Sequence, residues 1–173
     1  MSGTETIEAL TRRIKALESE NGVRACMNRY MYLCDRLGVD FELDDLMVLF
    51  TDDASWEGKG GRYNKTFGRH EGKEAIRAMF TKYTVPPAHF RLNVHYLTSE
   101  LIAVNETTAH GSWVLLQPST FSSGKSQLSS ARLSVMFREQ DNTWKIARFE
   151  TEALFSRPVE HPWDSSEALP VPD

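Results

Sequence analysis

Apolar residues at helical spacing mark the first half of the chain. The steps of three and four between Ile7, Leu10, Ile14 and Leu17 predict an amphipathic helix over residues 5–20. We expect Asn21-Gly22 to interrupt it and a second helix to run from about 23 to 37. A short helix is predicted around 46–50, and another over 73–83 that ends before Pro86-Pro87.

Strand-like segments follow in the second half. Short strands are predicted at 54–57 and 63–67, joined by a glycine-rich turn at 58–61, and long ones at about 89–98, 107–117, 126–139 and 143–155. Residues 156–173 read as an irregular tail. Helices followed by antiparallel strands define an α+β class. We therefore predict one domain over 1–173, with its core at 7–155 and a strongly curved, cone-shaped sheet against the helices.

The composition of the chain limits the binding partners and the cellular compartment that we expect. The formal net charge of −4 argues against nucleic acid and anionic membrane as partners. The longest apolar run, Leu46–Phe50, is far shorter than the ~20 residues of a membrane span. Cys26 and Cys34 on one helix would lie roughly 12 Å apart, too far for a disulfide. These features predict a cytoplasmic protein.

The alternating segment 89–96 carries the clearest candidate chemistry. His89, Arg91, Asn93 and His95 share one predicted strand face, and the opposite, apolar face consists of Phe90, Leu92, Val94 and Tyr96. This polar face either lies in water or lines an apolar cavity with His89 as a proton-transfer group. Two apolar rows on later strands favour a cavity: Ala109, Gly111, Trp113 and Leu115, and then Ala131, Leu133, Val135 and Phe137.

Asp35 is the candidate partner for that histidine. It follows an aromatic and aliphatic run near the end of the second predicted helix, so it is either partly buried or solvated beside Arg36. A carboxylate next to a histidine stabilises the imidazolium form and fixes the tautomer. On an ideal helix Tyr30 lies about 140° from Asp35, whereas Tyr32 shares its face.

A metal site is the less favoured interpretation of the five histidines. His89 and His95 would be roughly 20 Å apart along one strand, too far to bind one metal ion. The sequence contains no phosphate-binding glycine loop, nucleophile elbow or paired-cysteine motif. We therefore expect neither metal nor cofactor.

Seven segments, in this order along the chain, match a known family: IEALTRRIKALE, NRYMYLCD, LFTDDASWEG, GRHEGKEAIRAMF, HFRLNVHYL, TTAHGSWVLL and NTWKIARFETEALF. Through them, residues 7–155 resemble the SnoaL-like branch of the nuclear transport factor 2-like superfamily. This resemblance implies a cone-shaped antiparallel sheet, a deep apolar pocket and a homodimer or homotrimer formed through the convex sheet face. Within the superfamily, the chain is most similar to cofactor-free lyases such as scytalone dehydratase, bile acid 7α-dehydratase and hexachlorocyclohexane dehydrochlorinase.

The resemblance implies a catalytic set of Asp35, His89 and Tyr30. The protein would be a dehydratase-like lyase or an isomerase that acts on a hydrophobic cyclic molecule in polyketide, steroid or aromatic metabolism. Substrate contacts would come from Tyr32, Trp56, Tyr63, Asn93, Trp113, Leu133, Phe137 and Phe149. For Trp56, Tyr63, Trp113, Phe137 and Phe149, a role as core residues alone is the favoured interpretation. The Ser and Asn of scytalone dehydratase align with Ala131 and Leu133, and the Arg of bile acid dehydratase has no aligned equivalent.

A second hypothesis is a protein without catalytic activity. The small subunit of ring-hydroxylating dioxygenases has this fold and about this length, and a small-molecule carrier would share the pocket. The segment Ser55-Trp56-Glu57 lacks the aromatic-then-proline signature of those subunits. The predicted His–Asp pair favours the enzyme.

Overall fold

The computed structural model describes residues 3–166, with side chains from residue 6 onward. Four helices and seven strands follow one another along this part of the chain. They are α1 (Gly3–Asp35), α2 (Leu43–Met47), β1 (Phe50–Lys59), α3 (Gly60–Phe67), β2 (Arg69–Glu71), α4 (Lys73–Thr81), β3 (Phe90–Asn93), β4 (Tyr96–Asn105), β5 (Thr108–Phe121), β6 (Ser126–Gln140) and β7 (Thr143–Val159). None of these helices is long and apolar enough to span a membrane.

The strands form one strongly curled sheet in the order β2-β1-β7-β6-β5-β3, with β4 also paired to β5. Among the strand pairs of residues 3–166, β1–β7 is parallel and the others are antiparallel. β3 pairs with the carboxyl-terminal end of β5 and β4 with the rest, so both run along the same edge of β5. The predicted α+β class, with helices packed on a curved antiparallel sheet, is confirmed. The junction between β3 and β4 falls at Val94-His95 and positions the candidate site.

Both predicted apolar rows face the core. Ala109, Trp113 and Leu115 on β5 and the row from Ala131 to Phe137 on β6 are all buried. Residues of opposite parity, such as Arg132 and His110, lie on the outer face, where the His110 ring contacts Ser134 Oγ at 3.0 Å. The homodimer or homotrimer through this outer face stays a prediction.

α1 is one continuous helix, and the predicted interruption at Asn21-Gly22 is wrong. Gly22 serves close packing: a Cβ there would lie 2.5 Å from Cδ1 of Trp144 on β7. The glycine therefore lets the indole ring lie directly against the helix backbone. The continuous helix carries both Cys26 and Cys34, which are buried and free, as expected.

Replacing Gly22 with Ala should destabilise the protein. The methyl group would overlap the Trp144 ring, and overpacking costs ~1–3 kcal/mol, whereas the gain in helix propensity is at most ~1 kcal/mol. We expect the free energy of unfolding, measured by denaturant titration, to fall by about 1–2 kcal/mol. Gly61→Ala is the matched control, because a Cβ at Gly61 meets no atom within 4 Å. Equal stability of the two variants would contradict this packing argument.

The segment 60–67 is a helix, not the predicted strand at 63–67, and Gly60-Gly61 begins it. β1 instead pairs with β2, which follows α3. Gly58 lies so close beneath the helix that a Cβ would fall 2.4 Å from the carbonyl oxygen of Tyr63. The helical spacing of Tyr63 and Phe67, whose ring centroids lie 5.0 Å apart, was the overlooked signal.

Other boundaries also differ from the prediction. The strand expected at 89–98 is divided into β3 and β4, and β4 continues to Asn105. β7 extends to Val159, so the predicted tail at 156–173 begins as strand. Beyond it, Trp163 Nε1 donates to the carbonyl oxygen of Gln127 at 3.0 Å, and Arg91 pairs with Asp164 at 2.6 Å. Residues 167–173 of that tail lie outside the described residues.

Candidate functional site

A cavity of about 140 Å³ opens between the helices and the concave face of the sheet. Its wall is mostly apolar, and much of it comes from the rings of Trp56, Tyr63, Phe67, Phe80, Phe90 and Phe149. Polar groups enter this wall from α1 and the sheet: Tyr30, Asn93, His95, Gln117 and Thr151. A small apolar chamber with a few convergent polar groups is the usual form of a ligand site.

Asp35 pairs with His95 at the edge of the cavity. One carboxylate oxygen accepts a hydrogen bond from the His95 ring Nδ1 at 2.5 Å and another from the His95 backbone N–H at 2.9 Å. Asp35 is the last residue of α1, and His95 immediately precedes β4. The carboxylate thus joins the end of the helix to the start of the strand, and both side chains are mostly shielded from water, with exposed fractions of 26% and 13%.

This contact fixes the chemistry of the imidazole. The ionised carboxylate is only an acceptor, so Nδ1 must carry the proton. In the neutral ring Nε2 then holds the lone pair and can accept a proton. Within the described part of the chain, no hydrogen-bond partner occupies Nε2. His95 therefore combines the features of a general base: a fixed tautomer, a negative partner and access to a cavity.

His89, the histidine predicted to pair with Asp35, lies elsewhere. Its ring is exposed and packs edge-on against Tyr83, Phe90 and Phe121, with centroid distances of 5.3, 4.4 and 5.4 Å. Tyr83 and Phe90 line the cavity, whereas His89 does not. The expected Asp35–His89 contact is thus corrected to Asp35–His95. The reason is the break between β3 and β4, which lets the chain bring His95 to the end of α1.

A second irregularity, within β3, disrupts the strict alternation predicted for 89–96. The pairing of β3 with β5 shifts between Phe90 and Leu92. As a result Phe90 and Asn93, which have opposite parity, both reach the cavity. Tyr96, expected to be on the apolar face, is 55% exposed. Alternation along one uninterrupted strand therefore predicts the wrong face for residues of this segment.

Tyr30 contributes a buried hydroxyl group to the cavity. The side chain is 3% exposed, and its oxygen accepts a hydrogen bond from Trp56 Nε1 at 3.0 Å. Burial raises the pKa of Tyr30 well above its ordinary value, so the hydroxyl keeps its proton. The Cys34 thiol, whose pKa burial raises to about 12, also contacts this hydroxyl. Rotation about the C–O bond could turn the proton from Cys34 toward a bound oxygen.

Asn93 has a fixed orientation at the cavity wall. Its side-chain oxygen accepts hydrogen bonds from Gln117 Nε2 at 2.7 Å and from Ser119 Oγ at 2.8 Å. Because the oxygen is engaged twice, the amide NH₂ group is the part of Asn93 left to donate to a ligand. The cavity thus offers donors from Tyr30 and Asn93 and an acceptor from His95.

The other predicted ligand contacts divide into two groups. Trp56, Tyr63, Leu133 and Phe149 line the cavity together with Tyr30 and Asn93. Three others do not line it: Tyr32, Trp113 and Phe137. Tyr32 is 50% exposed under the guanidinium groups of Arg29 and Arg36.

Trp113 and Phe137 are core residues, and their ring centroids lie 6.2 Å apart. The Trp113 ring covers Gly111, where a Cβ would fall 2.2 Å from the indole. Its Nε1 donates to Glu100 at 3.2 Å, and Glu100 also pairs with Arg24 on α1. Trp113 thus ties the sheet to the helix, a structural role.

Sequence reasoning missed His95, Gln117 and Thr151 as cavity residues. For His95 alternation gave no signal, because the apolar positions of β4 change parity between Leu97 and Ile102, where its pairing with β5 shifts register. Gln117 lies at the predicted end of the strand over 107–117, whereas β5 continues to Phe121. Among residues 6–166, no three His, Cys, Asp or Glu side chains cluster in a way that could hold a metal ion.

A family model for the SnoaL-like domain matches residues 15–150. The chain belongs to the SnoaL-like domain family. This confirms the resemblance expected from the sequence segments. No curated protein matches the chain.

Several solved structures share the SnoaL-like fold of this chain. A hexachlorocyclohexane dehydrochlorinase from Novosphingobium barchaimii is 16% identical over 91% of this chain and 99% of that chain, with a TM-score of 0.71. A candidate scytalone dehydratase from Novosphingobium aromaticivorans is 18% identical over 88% and 97%, with a TM-score of 0.70. A nuclear transport factor 2-like protein with a cystatin-like fold from the same organism is 21% identical over 84% and 88%, with a TM-score of 0.60. At these identities the likeness establishes the fold.

Proposed function

We propose that the protein is a cofactor-independent lyase of dehydratase type, or an isomerase, with His95 as its general base. The observation that carries this proposal is the Asp35–His95 contact at the edge of an apolar cavity. Compared with the expectation from sequence, the base is His95 in place of His89, whereas Asp35 and Tyr30 keep their proposed roles. Two of the structural relatives bear the names of a dehydrochlorinase and a candidate dehydratase, which is consistent with an elimination reaction.

The first proposed step is proton abstraction. Nε2 of His95 takes a proton from a carbon next to a carbonyl group, and the C–H electron pair moves into an enolate. The Asp35 carboxylate stabilises the imidazolium that forms. The Tyr30 hydroxyl donates a hydrogen bond to the enolate oxygen, and the bond from Trp56 orients that hydroxyl.

The second step completes an elimination or an isomerisation. In a dehydratase the enolate electrons form the C=C bond, the C–O bond to a β-hydroxyl breaks, and the imidazolium proton leaves with the hydroxyl as water. In an isomerase the imidazolium returns the proton to a different carbon. Either path regenerates neutral His95.

The cavity volume favours a substrate with one ring in the chamber. An engineered protein cavity of ~150 Å³ binds benzene, and about 140 Å³ is available here. Trp56 and Phe149, stacked with an angle of 8° between their planes, offer a flat wall for such a ring. A single hydrophobic ring that carries a carbonyl group therefore fits both the volume and the donors.

The experiment uses 3-hydroxycyclohexanone as the probe substrate. Loss of water gives 2-cyclohexenone, whose conjugated carbonyl is measured by ultraviolet absorbance. We expect enone formation above the uncatalysed rate, unaffected by a chelator, together with binding of cyclohexanone detected by protein NMR. If cyclohexanone binds to the cavity but neither elimination nor proton exchange is detected, the protein is a small-molecule carrier, and the enzymatic proposal is wrong.

Replacing Tyr30 with Phe should slow this reaction. The variant loses the hydroxyl that would stabilise the enolate oxygen, and removal of one such donor typically costs ~10²–10³ in kcat. Because Tyr30 also contacts Cys34 and Trp56, the melting temperature is measured alongside the rate. Tyr32→Phe is the matched control on the same helix, since that ring is exposed and lies outside the cavity. If Tyr30→Phe reacts at the full rate, the Tyr30 hydroxyl has no role in the mechanism.

A further inference from the structure

The amino-terminal half of α1 carries an apolar stripe that the domain does not cover. The stripe consists of Ile7, Leu10, Ile14 and Leu17, whose exposed fractions are 66%, 51%, 55% and 60%. Their spacing of three, four and three places them on one side of the helix. Four large apolar side chains in a continuous exposed row are an unusual feature of a monomer's surface.

Most of the stripe points away from the protein's own sheet, and within it only Ile14 also borders a groove against Glu139, Asn142 and Trp144. At ~100° per residue it lies on the same side of α1 as Asn21 and Asn28, which are exposed. The opposite side of the helix packs in the core through Val23, Met27 and Tyr30. The domain therefore cannot fold over the stripe, and a partner could approach it without displacing the domain.

The residue types of the stripe match those of a parallel two-stranded coiled coil. In heptad terms, Ile7 and Ile14 take the a positions, and Leu10 and Leu17 the d positions. Isoleucine at a with leucine at d favours two parallel strands. The next a position is Asn21, and a polar residue at a single a position specifies register and number of strands.

The charges beside the stripe favour the same arrangement. Arg13 takes a g position, and Glu18 takes the following e position. In a parallel pair, Arg13 of each copy lies next to Glu18 of the other, and such g–e pairs set partner orientation. An antiparallel pair that stacks Ile7 on Leu17 would bring the two Arg13 side chains together, which is unfavourable.

Packing of the second half of α1 also prepares the first half for pairing. Nucleation is the costly step of helix formation, and α1 is already nucleated where it packs on the sheet. A segment of two heptads, too short to pair as an isolated peptide, thus presents its stripe in a helical conformation. Its short length predicts a weak, concentration-dependent association.

We propose that this stripe binds a second copy of the chain. Residues 3–21 of two copies form a short parallel coiled coil, and the two domains lie on opposite outer sides of the helix pair. This contact is distinct from the convex sheet face and does not depend on the proposed reaction.

Cysteine cross-linking tests the contact directly. Leu10→Cys places a thiol at a d position, so a parallel pair brings the two thiols together, and oxidised glutathione as oxidant converts them to a disulfide. Cys26 and Cys34 are buried with thiol pKa values of about 12, so they do not compete. Arg12→Cys, on the opposite side of the helix, is the matched control. We expect a covalent dimer with Leu10→Cys and little with Arg12→Cys.

Three results would overturn the proposal. Equal cross-linking of Leu10→Cys and Arg12→Cys would show that the stripe is not an interface. A cross-link that forms only between Leu10→Cys on one copy and Ile14→Cys on the other would show antiparallel pairing. As a second measurement, light scattering on Ile14→Asp/Leu17→Asp should show a lower mass than the unmodified protein at the same high concentration. An unchanged mass would place any association elsewhere, such as on the sheet.

Discussion

His95→Gln should lower kcat/KM for the dehydration of 3-hydroxycyclohexanone by ~10²–10⁴-fold, the range that a positioned general base contributes. Glutamine is similar in size and can still donate to Asp35, but it has no lone pair of comparable basicity. We expect the variant to fold, because the glutamine still donates a hydrogen bond to Asp35 at the edge of the cavity. The rate is measured by enone absorbance, and the fold by circular dichroism.

His89→Gln is the matched control for that result. The His89 ring is exposed and lies behind Tyr83 and Phe90, outside the cavity. Its replacement should leave kcat/KM within about twofold of the original, since surface substitutions usually have small effects. If His89→Gln abolishes activity and His95→Gln does not, the assignment of the base is reversed.

Asp35→Asn should have the second largest effect. The variant loses the negative charge that stabilises imidazolium, and an amide NH₂ group facing Nδ1 would favour the wrong tautomer. In the catalytic triad of serine proteases the equivalent change costs ~10⁴ in kcat, and we expect a loss of ~10²–10⁴ here. Nitrogen NMR of the His95 ring should show the Nδ1–H tautomer in the original protein and a tautomer mixture in the variant.

Asp52→Asn serves as the control for that substitution. Asp52 is exposed and pairs with Lys73 at 2.6 Å, away from the cavity. Its replacement should leave the rate and the His95 tautomer unchanged. A variant Asp35→Asn that keeps both the full rate and the Nδ1–H tautomer would contradict a positioning role for Asp35.

The main features of the fold were predictable because they depend on the alternation of apolar and polar residues within strands and on the order of helices and strands along the chain. The rows on β5 and β6 alternate without interruption, so parity alone assigned Leu133 and Val135 to the core. Regions where one residue departs from its usual structural preference were not predictable in this way. Gly22 reads as a helix breaker in sequence, whereas its function is to admit the Trp144 ring, which lies far along the chain.

A His–Asp pair at an apolar cavity was predictable, but the identity of its histidine was not. Asp35 and Tyr30 were indicated by the resemblance to the family and not by the helical pattern of α1, since an ideal helix places them about 140° apart. His95 depends on where one strand ends and the next begins, and His89 and His95 share parity, so alternation cannot distinguish them. The choice is made by tertiary contacts: β3 pairs with the far end of β5, and the Asp35 carboxylate binds the start of β4.

Hydrogen–deuterium exchange at carbon tests the central claim, proton abstraction by His95, without requiring the natural substrate. Cyclohexanone is incubated with the protein in D₂O, and loss of the proton signals next to the carbonyl is followed by NMR. We expect catalysed exchange with the original protein and with His89→Gln, and none above background with His95→Gln. Equal exchange with and without His95, or none with any form of the protein despite cyclohexanone binding, would contradict it.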